Sequence, residues 1–78
     1  ERRQEMVKIL HQRAEEGRVM LRQIRADIRK DIEKQEGEAG ISEDDLKANF
    51  TELDDLVKEY MEKIEELVKS KEKDLLTI

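Results

Sequence analysis

The stretch QEGEAGISEDD, Gln35 to Asp45, decides the fold, because it stops one helix and starts another within a few residues. Gly37 and Gly40 accept positive φ without a Cβ clash, which makes them natural helix terminators. Ser42 then stands in N-cap position, three residues before Asp45, so its hydroxyl is expected to cap the amides there. Ile41 ahead of the cap and Leu46 at the fourth helical position are spaced as a hydrophobic staple. Glu43, Asp44 and Asp45 place negative charge on the positive end of the new helix dipole. The expectation is an all-α chain: a helix over 1–36, a hinge over 37–42 and a helix over 43–76.

Working outward, Val7, Leu10, Ala14, Gly17, Leu21, Ile24, Ile28 and Ile32 recur at alternating threes and fours, a seam of the coiled-coil type. Beyond the hinge a second seam runs Leu46, Phe50, Leu53, Val57, Tyr60, Ile64 and Leu67. Each helix of roughly 34 residues would be about 50 Å long. A short connection between long helices folds them back as an antiparallel hairpin. Residues whose numbers sum to about 78 then meet, pairing Ile28 with Phe50, Leu21 with Val57 and Leu10 with Val68. Gly17 lands beside Tyr60 and Met61. A mid-helix glycine costs about 1 kcal/mol relative to alanine, and making room for the Tyr60 ring is its expected purpose.

The apolar side chains outnumber the seams. Met6, Ile9 and Met20 lie beyond the first, and Leu56, Met61, Val68 and Leu75 beyond the second. Leaving about seven such side chains wet forgoes about 10–20 kcal/mol, more than a typical domain's whole stability. A third helix is therefore expected to cover them, which makes the hairpin part of a three-helix bundle. Either an upstream segment or a second copy of the chain would supply it. The opening ERRQEMVKIL, already helical in pattern with no capping residue before it, points upstream. By itself the chain is expected to self-associate through this flank as a dimer that exchanges helices into a four-helix arrangement.

Composition excludes several function classes. At 78 residues, with no proline, tryptophan or cysteine, the chain is one small domain or part of one, without disulfides or thiolate metal sites. Charged residues make up 47% and are mixed along helical periodicity, which favours long solvated helices over disorder. No apolar run exceeds three residues, so neither a membrane span nor a signal-peptide core is expected. His11 is the only histidine, has no Glu three residues before it, and is expected to be solvated. The carboxylates Glu52, Asp55, Glu59, Glu62 and Glu66 are expected to form an ordinary solvated face. Phe50 and Tyr60, the only aromatics, sit on the seam as core residues, so single-strand base stacking is not expected. No serine or threonine lies near a base and no glycine-rich phosphate loop is present, so neither an enzyme nor a bound cofactor is expected.

What remains is charge. The net charge of −5 conceals a division: residues 1–34 hold ten Lys/Arg against seven Asp/Glu, net +3, and residues 35–78 hold six against fourteen, net −8. All seven arginines fall in the first 29 residues. Arg18, Arg22, Arg25 and Arg29, spaced 4, 3 and 4 apart, stack in one stripe on a helix. Arginine's planar fork suits phosphates, so the stripe reads as a face reserved for a polyanion. The alternative is helical pairing, with Glu15 serving Arg18 and Asp27 or Asp31 serving the others. Against it, the four arginines have mostly one another as i±3 and i±4 neighbours.

The opening Glu-Arg-Arg, the run Arg18 to Asp27 (RVMLRQIRAD), the hinge ISEDD and the tail EYMEKIEELVKSKEKDLL together resemble the ribosome recycling factor family, over essentially the whole chain. The resemblance implies a three-helix bundle with a smaller α/β domain inserted between its first and second helices. This chain matches only the second and third helices, so the upstream helix and the inserted domain are expected to be absent. It also implies a non-enzymatic role: taking apart the post-termination ribosome with elongation factor G, the bundle lying against large-subunit ribosomal RNA. The positions matching the family's backbone-contacting arginines are Arg3, Arg22 and Arg25, with Arg18 and Arg29 as flanking candidates. Gln23 and Ala26 stand where the family usually has an amide and a further arginine, which implies one fewer phosphate contact. The implied location is the bacterial cytoplasm, or an organelle for a mitochondrial or plastid member. The competing reading is a structural or designed antiparallel coiled-coil module with no RNA partner.

Overall fold

A computed structural model describes residues 1–77 as two long helices, α1 (Arg2–Glu33) and α2 (Glu43–Leu76), folded into an antiparallel hairpin. The hairpin measures 60 × 16 × 9 Å, a rod rather than a globule. Among the described residues there is no strand, and no helix is long and apolar enough to cross a membrane.

The helical pattern expected over 1–36 continues past Glu33 as turns. Gln35 and Glu36 donate their amides to the carbonyls of Ile32 and Glu33, three residues back, which tightens the helix end. Two turns then follow in series: Glu38 N–H donates to Gln35 O and Ile41 N–H to Glu38 O. Gly37 (φ 80°) and Gly40 (φ 84°) occupy the third position of each, a left-handed conformation that a side chain would strain. The chain is turned back by these two glycines.

α2 opens on a capping box. Ser42 Oγ accepts from Asp45 N–H at 3.0 Å, and Ser42 N–H donates to Asp45 Oδ2 at 3.0 Å. Ile41 and Leu46, spaced as the staple, are both half-buried. The Ser42 amide, and after it the Ser42 hydroxyl, hold the Asp45 carboxyl below the usual aspartate range. A carboxylate so depressed in the folded state stabilises above its unfolded pKa, and that contribution disappears as pH falls through the folded value. Ser42→Ala is expected to cost about 1 kcal/mol at neutral pH, by thermal denaturation, and the gap to wild type should narrow below the ordinary carboxylate range.

The core is thin. Only Ala14, Ile32, Leu53 and Val68 are buried among the described residues, and none of them completely. The seam of α1 follows Val7, Leu10, Ala14, Gly17, Leu21 and Ile32 as expected, but Ile24 and Ile28 are 47% and 39% exposed. In α2 the expected seam holds through Val57 and at Ile64 but not at Tyr60 and Leu67. Tyr60 and Leu67 are exposed, while Met61, Val68 and Leu75, set aside as flank, are buried or half-buried against α1. Both choices obey helical spacing; partner register selects between them.

Register also corrects the account of Gly17. A Cβ there would lie 3.4 Å from Ile64 Cδ1, so the residue faces Ile64 and not the Tyr60 ring. Helical side chains lean toward their own N-terminus, so in an antiparallel pair they lean in opposite directions. Contacts therefore join each α1 residue to one further along α2 than a symmetric fold-back predicts. Gly17 opposite Ile64 and Arg18 opposite Glu65 follow from this. At 3.4 Å an alanine methyl fits in ordinary contact, and helix propensity favours it. Gly17→Ala should raise stability by about 0.5–1 kcal/mol in a thermal melt, whereas Gly17→Leu should separate the helices.

Candidate functional site

The two helices meet along edges of different character. On one edge His11, Arg18 and Arg25 recur every seven residues, two helical turns, and so stack in line. Each reaches a carboxylate of α2. His11 Nε2 lies 3.5 Å from Glu72 Oε1, Arg18 Nη2 lies 3.7 Å from Glu65 Oε2, and Arg25 Nε donates to Asp54 Oδ1 at 2.8 Å. Arg29 completes the row with its guanidinium 4.6 Å from the centre of the Phe50 ring, a cation–π contact. His11 is thus half-exposed and faces Glu72 rather than solvent alone, which corrects the expectation of a simply solvated side chain.

Within α1, Glu15 bridges two of the arginines, accepting from Arg22 Nη2 at 2.8 Å and from Arg18 Nη1 at 3.2 Å. The bond from Arg22, then that from Arg18, holds the Glu15 carboxyl below the usual glutamate range. Arg29 Nε sits 3.5 Å from Glu33. The expectation that the four stripe arginines have chiefly one another for company is therefore corrected: each has a carboxylate partner, and a rail of unpaired guanidinium groups does not form.

Pairing leaves the arginines unequal. Arg18, whose side chain is 25% exposed, commits both Nη groups, one to each helix. Arg25 and Arg29 engage carboxylates through Nε, and Arg22 through one Nη. A guanidinium carries five N–H donors in a fixed fork. Arg22 and Arg25 therefore retain donors while their planes are held by Glu15 and Asp54. Arg3, near the start of α1, is exposed and makes no ion pair among the described residues. Exposed ion pairs contribute at most about 1 kcal/mol, so a phosphate can add to them or replace them.

The carboxylates that reach the arginines were not the ones singled out from spacing. Glu52, Asp55, Glu59, Glu62 and Glu66 are exposed, Glu59 lying 3.5 Å from Lys63. Asp54 and Glu65, which make the cross-helix bonds, directly follow the seam residues Leu53 and Ile64. His11, Arg18, Arg25 and Arg29 likewise each follow a seam position, Leu10, Gly17, Ile24 and Ile28. That shared offset was the available signal.

The opposite edge is apolar. Leu21, Ile24 and Ile28 of α1 line one depression with Leu53, Leu56, Val57 and Tyr60 of α2. Further from the hinge, Leu10, Ala14 and Gly17 line another with Ile64, Leu67 and Val68, rimmed by Arg13 and Lys71. No group of three potential metal ligands converges anywhere among the described residues.

Residues 1–76 match the family model described as ribosome recycling factor. The whole chain is 45% identical to the ribosome-recycling factor of Picosynechococcus sp., covering 43% of that protein. It is 42% identical to the chloroplastic ribosome-recycling factor of Daucus carota and 38% identical to that of Bacillus subtilis, again over 100% of its length, covering 34% and 42% of those proteins. The chain thus spans at most 43% of the length of these relatives. No solved structure matches it.

Proposed function

The chain belongs to the ribosome recycling factor family, a family of non-enzymatic translation factors, and on that premise we propose that its charged edge docks on large-subunit ribosomal RNA during recycling after termination. The observation that supports this reading is the row of arginines held in fixed planes along a 60 Å rod, with donors of Arg22 and Arg25 still unspent. Arg3, Arg22 and Arg25 contact phosphate and sugar, which positions the rod without reading sequence. Arg29 flanks them over Phe50. Arg18 acts chiefly inside the hairpin, bridging α1 and α2 so that its neighbours stay aligned.

The acidic outer face of α2 opposes the basic edge and disfavours RNA on that side. Elongation factor G is the proposed partner in the complete reaction, acting through an α/β domain that these 78 residues do not include. The hairpin alone is therefore proposed to bind without recycling. The relatives are bacterial and chloroplastic, which supports a bacterial cytoplasmic or an organellar setting.

Co-sedimentation of the chain with large ribosomal subunits at two salt concentrations tests the reading. Phosphate contacts release counterions, so the logarithm of affinity should fall by about 0.7–0.9 per contact for each logarithmic unit of salt. Absent binding, or binding indifferent to salt, would remove the arginine edge as the contact surface.

A further inference from the structure

We infer that Glu15 and Asp54 are specificity-determining residues of the charged edge: they hold Arg22 and Arg25 back from loose polyanions and leave them open to phosphates that folded RNA presents in fixed places. This selectivity rests on the ribosomal docking proposed above and narrows the RNA that the edge accepts.

The edge has no surplus of positive charge. The four guanidinium groups of Arg18, Arg22, Arg25 and Arg29 are matched by four carboxylates, those of Glu15, Glu33, Asp54 and Glu65. A fifth carboxylate, Glu72, stands at the end of the row opposite His11. The chain as a whole carries a net charge of −5. A polyanion is therefore not drawn in from a distance by net charge. Affinity has to come from close, directional contact.

The carboxylates occupy some donors and spare others. Asp54 takes Nε of Arg25 at 2.8 Å, and no carboxylate pairs with the Nη groups of Arg25 among the described residues. Glu15 lies seven residues before Arg22 and accepts from its Nη2 at 2.8 Å, so the side chain is drawn back along α1 over about 10 Å of helical rise. Glu15 and Asp54 are themselves 56% and 48% exposed, so a ligand meets the acids as readily as the bases. A flexible single strand arrives in many orientations, and repulsion between its phosphates and these carboxylates offsets what the arginines gain. A phosphate that folded RNA fixes at the open side of the fork adds its bonds while the carboxylate keeps the guanidinium plane aligned. Discrimination then comes from a repulsive element as well as an attractive one. Without the two charges, a flexible polyanion gains attraction and loses nothing, whereas a folded partner gains attraction but loses alignment.

Binding of Glu15→Gln combined with Asp54→Asn to polyuridylate and to large ribosomal subunits, each at two salt concentrations, tests this. Polyuridylate affinity at low salt should rise at least about tenfold and depend more steeply on salt, by about 0.7 for each phosphate newly contacted. Affinity for large subunits should stay within about threefold of wild type, so the ratio of the two falls. Asp54→Asn alone should move that ratio in the same direction. Glu15→Asp with Asp54→Glu keeps both charges and should leave polyuridylate binding at the wild-type level. The ion pairs lost are exposed, so helicity by circular dichroism should match wild type throughout. The selectivity is overturned, with the docking left standing, if polyuridylate affinity does not rise, rises in the charge-keeping variant too, or rises only in step with that for large subunits. A wild-type chain that does not bind large subunits removes the docking itself, and the selectivity with it.

Discussion

Arg22→Ala combined with Arg25→Ala is expected to weaken binding to large ribosomal subunits by about a hundredfold, at about 1.4 kcal/mol for each charge-assisted phosphate contact. The salt dependence should flatten by the share of about two contacts. Helicity should be unchanged, because what each arginine loses within the protein is an exposed ion pair, to Glu15 or to Asp54. Arg18→Ala gives the contrasting result. Its guanidinium bridges Glu15 and Glu65 and is the least exposed of the four, so its removal should lower the melting temperature more than it lowers RNA affinity. If the double variant binds as wild type does, the edge serves hairpin cohesion alone, and the ribosomal role rests on family membership.

The largest effect on stability is expected from Leu53→Ala. Leu53 is 6% exposed and one of four buried residues among those described, so the void has little around it that could collapse. Truncation of a buried leucine costs about 2–5 kcal/mol, which in so thin a core should abolish a cooperative thermal transition followed by circular dichroism. Leu67→Ala removes the same number of carbon atoms from a side chain that is 60% exposed. At low chain concentration it should change stability by less than about 0.5 kcal/mol. Reversal of this order would restore the seam expected from periodicity, in which Leu67 faced α1.

That seam shows where sequence stops being informative. From Val57 onward α2 offers Tyr60 beside Met61 and Leu67 beside Val68, and a helical period near 3.6 accommodates either series. Nothing within α2 chooses between them. The choice comes from α1, through the opposed lean of side chains in an antiparallel pair. The arginine stripe shows the same limit: its i±3 and i±4 neighbourhood made Arg25 look unpartnered, yet Asp54, 29 positions away, accepts from its Nε.

Sequence alone determined what depends on neighbours within a turn or so. The two helices, the glycine turns at 37 and 40, the Ser42–Asp45 cap and the confinement of arginine to α1 are all of this kind, because capping, dipole and φ preference act locally. Only the tertiary structure decided which apolar residues are buried, what Gly17 faces and which carboxylates hold the arginines. Those outcomes depend on how far α2 has advanced when it passes each residue of α1. Two helices joined by a nine-residue turn set that offset through packing along their whole length.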